Sequence, residues 1–195
     1  YTVPYTLSLH DALPILFLRG AYGKGWPVDQ FKGKHVVVIT GGTGLAPVKS
    51  MLNKFYDEPD FTKSVHLISG FKNEDGIIFK GDLERWKERF DTIYALDKDH
   101  KDGWETGFVT EFVSRIPFNE FGDDYAVVVV GPPPMMKFTG FEVIRQGVPE
   151  EKIWMSFERK MSCAVGKCGH CRIDEVYVCL DGPVFNYTQA KYLVD

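Results

Sequence analysis

Four consecutive β-branched residues, Val36 to Ile39, run straight into a glycine turn, GGTGLAP, at Gly41 to Pro47. A run with no polar position has no face to turn toward water. It therefore belongs to a strand covered on both sides, the kind found in parallel sheets flanked by helices. Pro47 suits the first position of a helix, where its missing N–H costs nothing. Val48, Met51, Leu52 and Phe55 then recur at helical spacing. The whole stretch is a strand–loop–helix unit.

The unit repeats. Ser64 to Gly70, Asp91 to Asp97, Tyr125 to Gly131 and Lys152 to Glu158 read as further strands. Between them lie helical patterns: IIFKGDLERWKERF with Leu83 and Trp86 facing inward, a short one over Gly107 to Ile116 entered through Thr110, and Met135 to Gln146 closed by Gly147. Such alternation predicts an α/β fold, a doubly wound five-stranded parallel sheet. Beyond Arg159 the periodicity stops, and a segment begins that holds all four cysteines.

Composition narrows the function classes. The 195 residues are 44% hydrophobic and 26% charged, and the net charge is −4. A phosphate-binding surface for nucleic acid would need a basic excess, so no nucleic-acid partner is expected. No apolar run approaches the roughly 18–20 residues of a membrane span, and nothing has the form of a secretory signal. The expected compartment is the cytoplasm, where thiols stay reduced.

GGTGLAP sits at the carboxyl end of the first strand and opens a helix, the place where open α/β sheets bind nucleotides. Glycine lets backbone approach a pyrophosphate, and a helix N-terminus offers unpaired N–H groups. Alone, such a turn is equally explained by tight strand–helix geometry. A second turn, VGPPPMM at Val130 to Met136, follows the fourth strand. The first and fourth strands flank the point where strand order reverses, so both loops should open onto one crevice. The candidate contacts are Gly41, Gly42, Thr43, Gly44, Leu45, Ala46 and Pro47 in the first turn, with Gly131, Pro132 and Met135 in the second.

On these turns, and on Gly103, Trp104, Gly107 and Thr110 between them, the chain resembles the pyridine-nucleotide domain of the ferredoxin–NADP reductase family. The resemblance implies NAD(P)H as substrate. Many members carry a cysteine where Val130 stands here. After the second strand, Lys72 stands beside Glu74 and Asp75. One lysine with two acids favours NADH over NADPH, and Lys72 reads as a solvated loop residue rather than a phosphate ligand.

The cysteines, Cys163, Cys168, Cys171 and Cys179, are spaced C-x4-C-x2-C-x7-C. Structural zinc usually pairs two short knuckles across a longer loop. Three thiols in one tight loop with a fourth soon after is the plant-type pattern for a [2Fe–2S] cluster. Ala164, Gly166 and Gly169 would let backbone N–H groups turn toward the sulfurs. His170 is an alternative ligand, but a Rieske centre needs two histidines and only one lies here, so His170 reads as facing solvent or standing behind the ligands. Zinc stays open, because spacing alone does not name a metal.

MSCAVGKCGHCRIDEVYVCLDGPVFNY, at Met161 to Tyr187, resembles the cluster segment of electron-transfer subunits of dihydroorotate dehydrogenase, NAD-linked hydrogenases and anaerobic sulfite reductase. The FERKM lead-in and the VCLDGPVFNY ending are most similar to the electron-transfer subunit of anaerobic sulfite reductase. This implies an electron path from NAD(P)H through FAD to the cluster. It also implies a catalytic partner subunit, a sirohaem sulfite reductase, and admits a further iron–sulfur subunit. A dihydroorotate dehydrogenase or hydrogenase partner is the alternative, and a nucleotide-binding module with structural zinc is a remoter one.

At the start, Tyr5 to Ile15 (YTLSLHDALPI) resembles the translation of a sequencing-library adapter, so residues 1–15 are expected to be an artefact. RGAYGKGWP, at Arg19 to Pro27, looks like the end of the flavin-binding β-barrel of these reductases, with Arg19 and Tyr22 as candidate flavin contacts. The expected division is a barrel remnant over 16–32, a nucleotide domain over 33–158 and a cluster segment over 159–195. FAD is expected of the longer protein. His35, His66 and His100 have no partners at ligand or triad spacing, so core or surface roles are expected, and no catalytic side chain is assigned.

Overall fold

The computed structural model describes residues 20–193. The expected artefact over 1–15 and the candidate contact Arg19 lie outside the described residues. Among the described residues, nine strands and four α-helices follow in chain order: β1 His35–Gly41, α1 Ala46–Asp57, β2 Ser64–Phe71, α2 Lys80–Trp86, β3 Asp91–Leu96, β4 Glu105–Thr106, β5 Tyr125–Val130, α3 Pro133–Arg145, β6 Ile153–Ser156, β7 Arg172–Ile173, β8 Val176–Tyr177, β9 Val184–Asn186 and α4 Tyr187–Ala190. Among the same residues, no helix is long and apolar enough to cross a membrane.

All five expected strands are present and parallel, as β1, β2, β3, β5 and β6. The sheet carries two more, giving the order β4-β3-β2-β1-β5-β6-β9. β4 has two residues and β9 three, too short for period-two patterning to register. β9 runs antiparallel to β6, pairing Met155 with Phe185.

β1 shows why the run had to be apolar throughout. Val36 and Val38 pack with α1 and α2, against Leu52, Phe55 and Trp86. Val37 and Ile39 face the other way, against Met136 and Val143 of α3 and Phe112 and Val113. All four are fully buried. Burying a side chain of this size is worth about 1.5–3 kcal/mol.

Three helices differ from expectation. A 3-10 turn over Gly42–Leu45 precedes α1, so Pro47 is its second residue rather than its first. The region over Gly107 to Ile116 is a 3-10 helix, Val109–Arg115, entered through Phe108, whose N–H donates to the Glu111 carboxylate at 3.2 Å. Val109, Thr110 and Val113 are β-branched, and Pro117 closes the segment, so a regular helix gains little there. α3 starts at Pro133, earlier than Met135, because proline is tolerated in a first turn.

The cysteine segment is joined to this body. Cys171 and Cys179 are buried in the same apolar cluster as Val37 and Met155. Tyr187 of α4 rests against Gly140 of α3, where an added Cβ would come within 2.9 Å of the ring. The stretch around Gly23 pairs with the segment after Cys179: Val184 N–H donates to the Lys24 carbonyl at 3.3 Å, and Lys24 N–H donates to the Gly182 carbonyl.

His66 is buried and His100 exposed, in keeping with core and surface roles, and two of the histidines have partners that local spacing hides. His66 lies between Ser64, its Nε2 at 3.0 Å from Oγ, and Asp91, its Nδ1 at 3.3 Å from Oδ2. Ser64 Oγ also lies 2.8 Å from His35 Nδ1. Partners two residues away in one strand and opposite in the next are invisible to a search by local spacing. This chain of polar contacts sits at the amino ends of the strands, away from the glycine turns.

Candidate functional site: a crevice at the switch point and a loop of thiols

Strand order reverses between β1 and β5, and the two glycine turns leave the sheet side by side there. They are packed together by the absence of side chains. A Cβ on Gly44 would lie 2.7 Å from the Val130 carbonyl carbon and 3.0 Å from the Gly131 Cα. A Cβ on Gly131 would lie 3.2 Å from the Gly41 nitrogen and would strike the Met135 sulfur. Gly42 is different: it has φ +55° and open space above it.

A crevice of about 600 Å³ spreads from these turns across the carboxyl ends of β1, β2 and β3. Gly41, Gly42, Pro132 and Met135 line it, as the sequence pattern placed them. Thr110, noted beside Gly107, lines it too. A smaller cavity of about 180 Å³, lined by Thr43, Gly44, Gly131 and Pro132, extends toward Phe157, Glu158 and Arg159. The other members of the first turn serve the fold. Leu45 is fully buried in the core, Ala46 is exposed on the first turn of α1, and the Pro47 carbonyl accepts the Trp26 indole N–H at 2.9 Å. Tyr22 packs against the apolar cluster that includes Cys171 and Cys179 and does not line the crevice.

Sequence reasoning missed Asp97, Phe108 and Phe138, all of which line the crevice. Asp97 directly follows β3, and burial holds its carboxyl above the ordinary carboxylate range while Lys72 and Lys98 pull it down. Phe108 and Phe138 are 56% and 62% exposed, apolar rims with nothing folded over them. Lys72 is exposed, as expected, but stands at the crevice mouth. Glu74 is ion-paired with Lys101 and does not line the crevice. The acid that faces the crevice is therefore Asp97, and the sequence signal was its place one residue past a buried strand.

The thiol loop is wound by three left-handed residues, Ala164 at φ +59°, Gly166 at +68° and Gly169 at +80°. That conformation favours glycine, and its cost at Ala164 is of order 1–2 kcal/mol. The winding turns amides inward. Val165 and Lys167 N–H donate to Cys163 Sγ at 3.4 and 3.3 Å, and Gly166 N–H donates to Cys179 Sγ at 3.3 Å. Donors from Val165, then Lys167 and Cys168, hold the Cys163 thiol at about 6, so it is largely thiolate at neutral pH. Burial pushes the Cys179 thiol up. Cys163 and Cys168 lie within each other's reach, and Cys179 lies near both Cys171 and Cys163. Among the described residues no three His, Cys, Asp or Glu side chains converge on one ion. His170 Nδ1 lies 2.7 Å from Ser162 Oγ, on the exposed side.

Comparison with known families settles the larger part. Residues 38–140, more than half of the chain, match the oxidoreductase NAD-binding domain. The chain belongs to the oxidoreductase NAD-binding family. Residues 158–191 match a second family, the iron–sulfur cluster binding domain of dihydroorotate dehydrogenase B. The gamma subunit of sulfhydrogenase 2 from Pyrococcus furiosus is 32% identical over 90% of this chain and 67% of that protein. The gamma subunit of sulfhydrogenase 1 from the same organism is 31% identical over 95% of this chain and 65% of that protein. The chain thus spans about two thirds of the length of either relative. A solved structure of an NADH-dependent reduced ferredoxin–NADP oxidoreductase shares the fold, with a TM-score of 0.62 and 22% identity over 92% of this chain and 62% of that one.

Proposed function

We propose that this chain is the nucleotide-binding and cluster-binding part of an electron-transfer subunit. It takes electrons from NAD(P)H by way of FAD and delivers them to a catalytic partner subunit through a [2Fe–2S] cluster. The observation that carries the reading is the thiol loop itself: four cysteines in one short stretch, with amides turned toward Cys163 and Cys179, on the same body as a switch-point crevice. Cys163, Cys168, Cys171 and Cys179 would hold the cluster, which takes up and hands on one electron at a time. The chain's own residues do the rest. Gly41, Gly42 and the first amides of the 3-10 turn receive the pyrophosphate. Asp97 faces the ribose hydroxyls and repels a 2′-phosphate, which supports NADH. Phe108 and Phe138 cover the base. The proposed division is 16–32 as barrel remnant, 33–158 as nucleotide domain and 159–195 as cluster segment.

For the partner, the FERKM and VCLDGPVFNY residues support a sirohaem sulfite reductase, with sulfide as product. A hydrogenase partner is the second reading, supported by the two sulfhydrogenase gamma subunits. Anaerobic iron and sulfide reconstitution followed by a visible spectrum tests the cluster: a red-brown protein with two irons per chain is expected, and a colourless, zinc-loaded one would sink the proposal. NADH-driven assays of the complex built with the subunits encoded beside this chain, scored for sulfide against hydrogen, decide the partner.

A further inference from the structure

The methionines of the chain, Met51, Met135, Met136, Met155 and Met161, stand in unequal surroundings. Met51, Met136 and Met155 are buried in the two apolar clusters. Met161 is exposed at the start of the thiol segment. Met135 is half-buried in the first turn of α3 and lines the crevice. A thioether is oxidised where an oxidant reaches its sulfur, so Met135 and Met161 are the two open to attack.

The Met135 sulfur fills space that two missing side chains leave. A Cβ on Gly41 would stand 3.2 Å from it, and a Cβ on Gly131 would strike it. One side chain thus plugs the notch between both glycine turns. A thioether suits this place because it is apolar, pliant and only a weak acceptor. Its sulfoxide is bulkier and polar. Toward the turns the notch is already full, so the added oxygen points into the crevice. There it competes with a pyrophosphate for the N–H groups of the turn.

Resting on the reading of this crevice as the nucleotide site, we propose that Met135 is a peroxide-sensitive switch whose oxidation to the sulfoxide expels the nucleotide. Hydrogen peroxide is the oxidant. Its O–O bond breaks, a new S–O bond forms at Met135, and the second oxygen leaves as water. The sulfur is oxidised by two electrons and the peroxide is reduced by two. Electrons that stray from this chain to dioxygen, two at a time with two protons, make that peroxide beside the crevice. Misdirected electron flow thereby closes its own entry. Methionine sulfoxide reductase reverses the modification, so the switch resets.

The test uses the reconstituted full chain, treated with hydrogen peroxide and then with dithiothreitol, which restores sulfenates and disulfides to thiols. Peptide mass mapping should find added oxygen at Met135 and Met161 well before Met51, Met136 or Met155. NAD+ present during treatment should slow the reaction at Met135 and leave Met161 unaffected. Calorimetric titration of the treated chain should show the Kd for NAD+ raised about tenfold, and methionine sulfoxide reductase should bring it back. Met135→Leu, close in volume, is read as its own ratio of affinities after and before peroxide, which should not change. An equal loss of affinity in that variant would assign the damage to the thiols and overturn the switch. Complete conversion of Met135 to the sulfoxide with NAD+ affinity unchanged would overturn it as well. NAD+ that binds yet fails to slow oxidation of Met135 would place the nucleotide away from this sulfur and remove the switch, with no variant needed. An untreated chain that binds no NAD+ would reject the nucleotide reading itself, an outcome seen before any peroxide is added.

Discussion

Two residues carry charge arguments that can be tested one side chain at a time. Asp97 is half-buried at the crevice wall with its carboxyl raised by burial, beside Lys72 and Lys98. On the proposed reading, a carboxylate there accepts from ribose hydroxyls and repels a 2′-phosphate. Asp97→Ser is expected to weaken NAD+ binding and strengthen NADP+ binding, moving their ratio about tenfold, the ~1.4 kcal/mol of a partly solvated charge interaction. Calorimetric titration with both nucleotides checks it, and an unchanged ratio removes Asp97 from the specificity argument. His66 gives a pH dependence. Burial lowers its pKa first; Asp91 raises it and His35 lowers it further. Asp91 is 77% exposed, so the ion pair is screened and burial prevails. Below an unfolded value of about 6.5, the unfolded chain binds a proton that the folded chain resists. Stability should therefore fall as pH drops from 7 toward 5, with no contribution above 7. Melting curves of His66→Gln should show a shallower loss over that window, and parallel curves would remove the assignment.

At the scale of elements, the two kinds of glycine in the first turn separate fold from ligand. Gly44 lets one turn lie on the other, so Gly44→Ala forces backbone apart and should cost about 1–3 kcal/mol of stability. Gly42 has open space above it and a left-handed backbone, so Gly42→Ala should cost about 1 kcal/mol while placing a methyl at the crevice. The expected contrast is a lowered melting temperature for the first and a larger loss of NAD+ affinity than of stability for the second. Equal effects on both quantities would erase the distinction. The same contrast shows what sequence could tell. β1, β2, β3, β5 and β6 were legible because each is an apolar run bounded by turn residues. β4 and β9 were not, because two- and three-residue strands exist only by pairing with a neighbour. Gly41, Gly42, Pro132 and Met135 were legible as a local pattern. Asp97, Phe108 and Phe138 meet only because three strand ends and α3 converge, a fact about topology rather than spacing.

On the scale of the molecule, the question is whether the thiol segment is an appendage or part of the body. Sequence periodicity stops at Arg159, which suggests an appendage, but the segment returns. β9 extends the nucleotide sheet beyond β6, pairing Trp154 with Asn186 and Ser156 with Val184. Phe185, Tyr187, Cys171 and Cys179 lie in one apolar cluster with Val37, Val127 and Met155. Ending the chain after Glu158 would bare the β6 edge and remove the burial of Val184, Phe185 and Tyr187, worth about 1.5–3 kcal/mol each. That loss is comparable to the ~5–15 kcal/mol that holds a domain folded. An unpaired apolar edge also invites strand-to-strand association. The truncated chain is therefore expected to aggregate, or to melt well below the full chain and bind NAD+ weakly. Cys168→Ser, at the exposed thiol, should by contrast abolish the visible spectrum and leave NAD+ binding intact. A soluble truncated chain with the melting temperature of the full one would show that the two parts fold independently. In that case the thiol loop holds its place through β7 and β8 alone, and the pairing of β9 with the β6 edge contributes nothing to the stability of the nucleotide sheet.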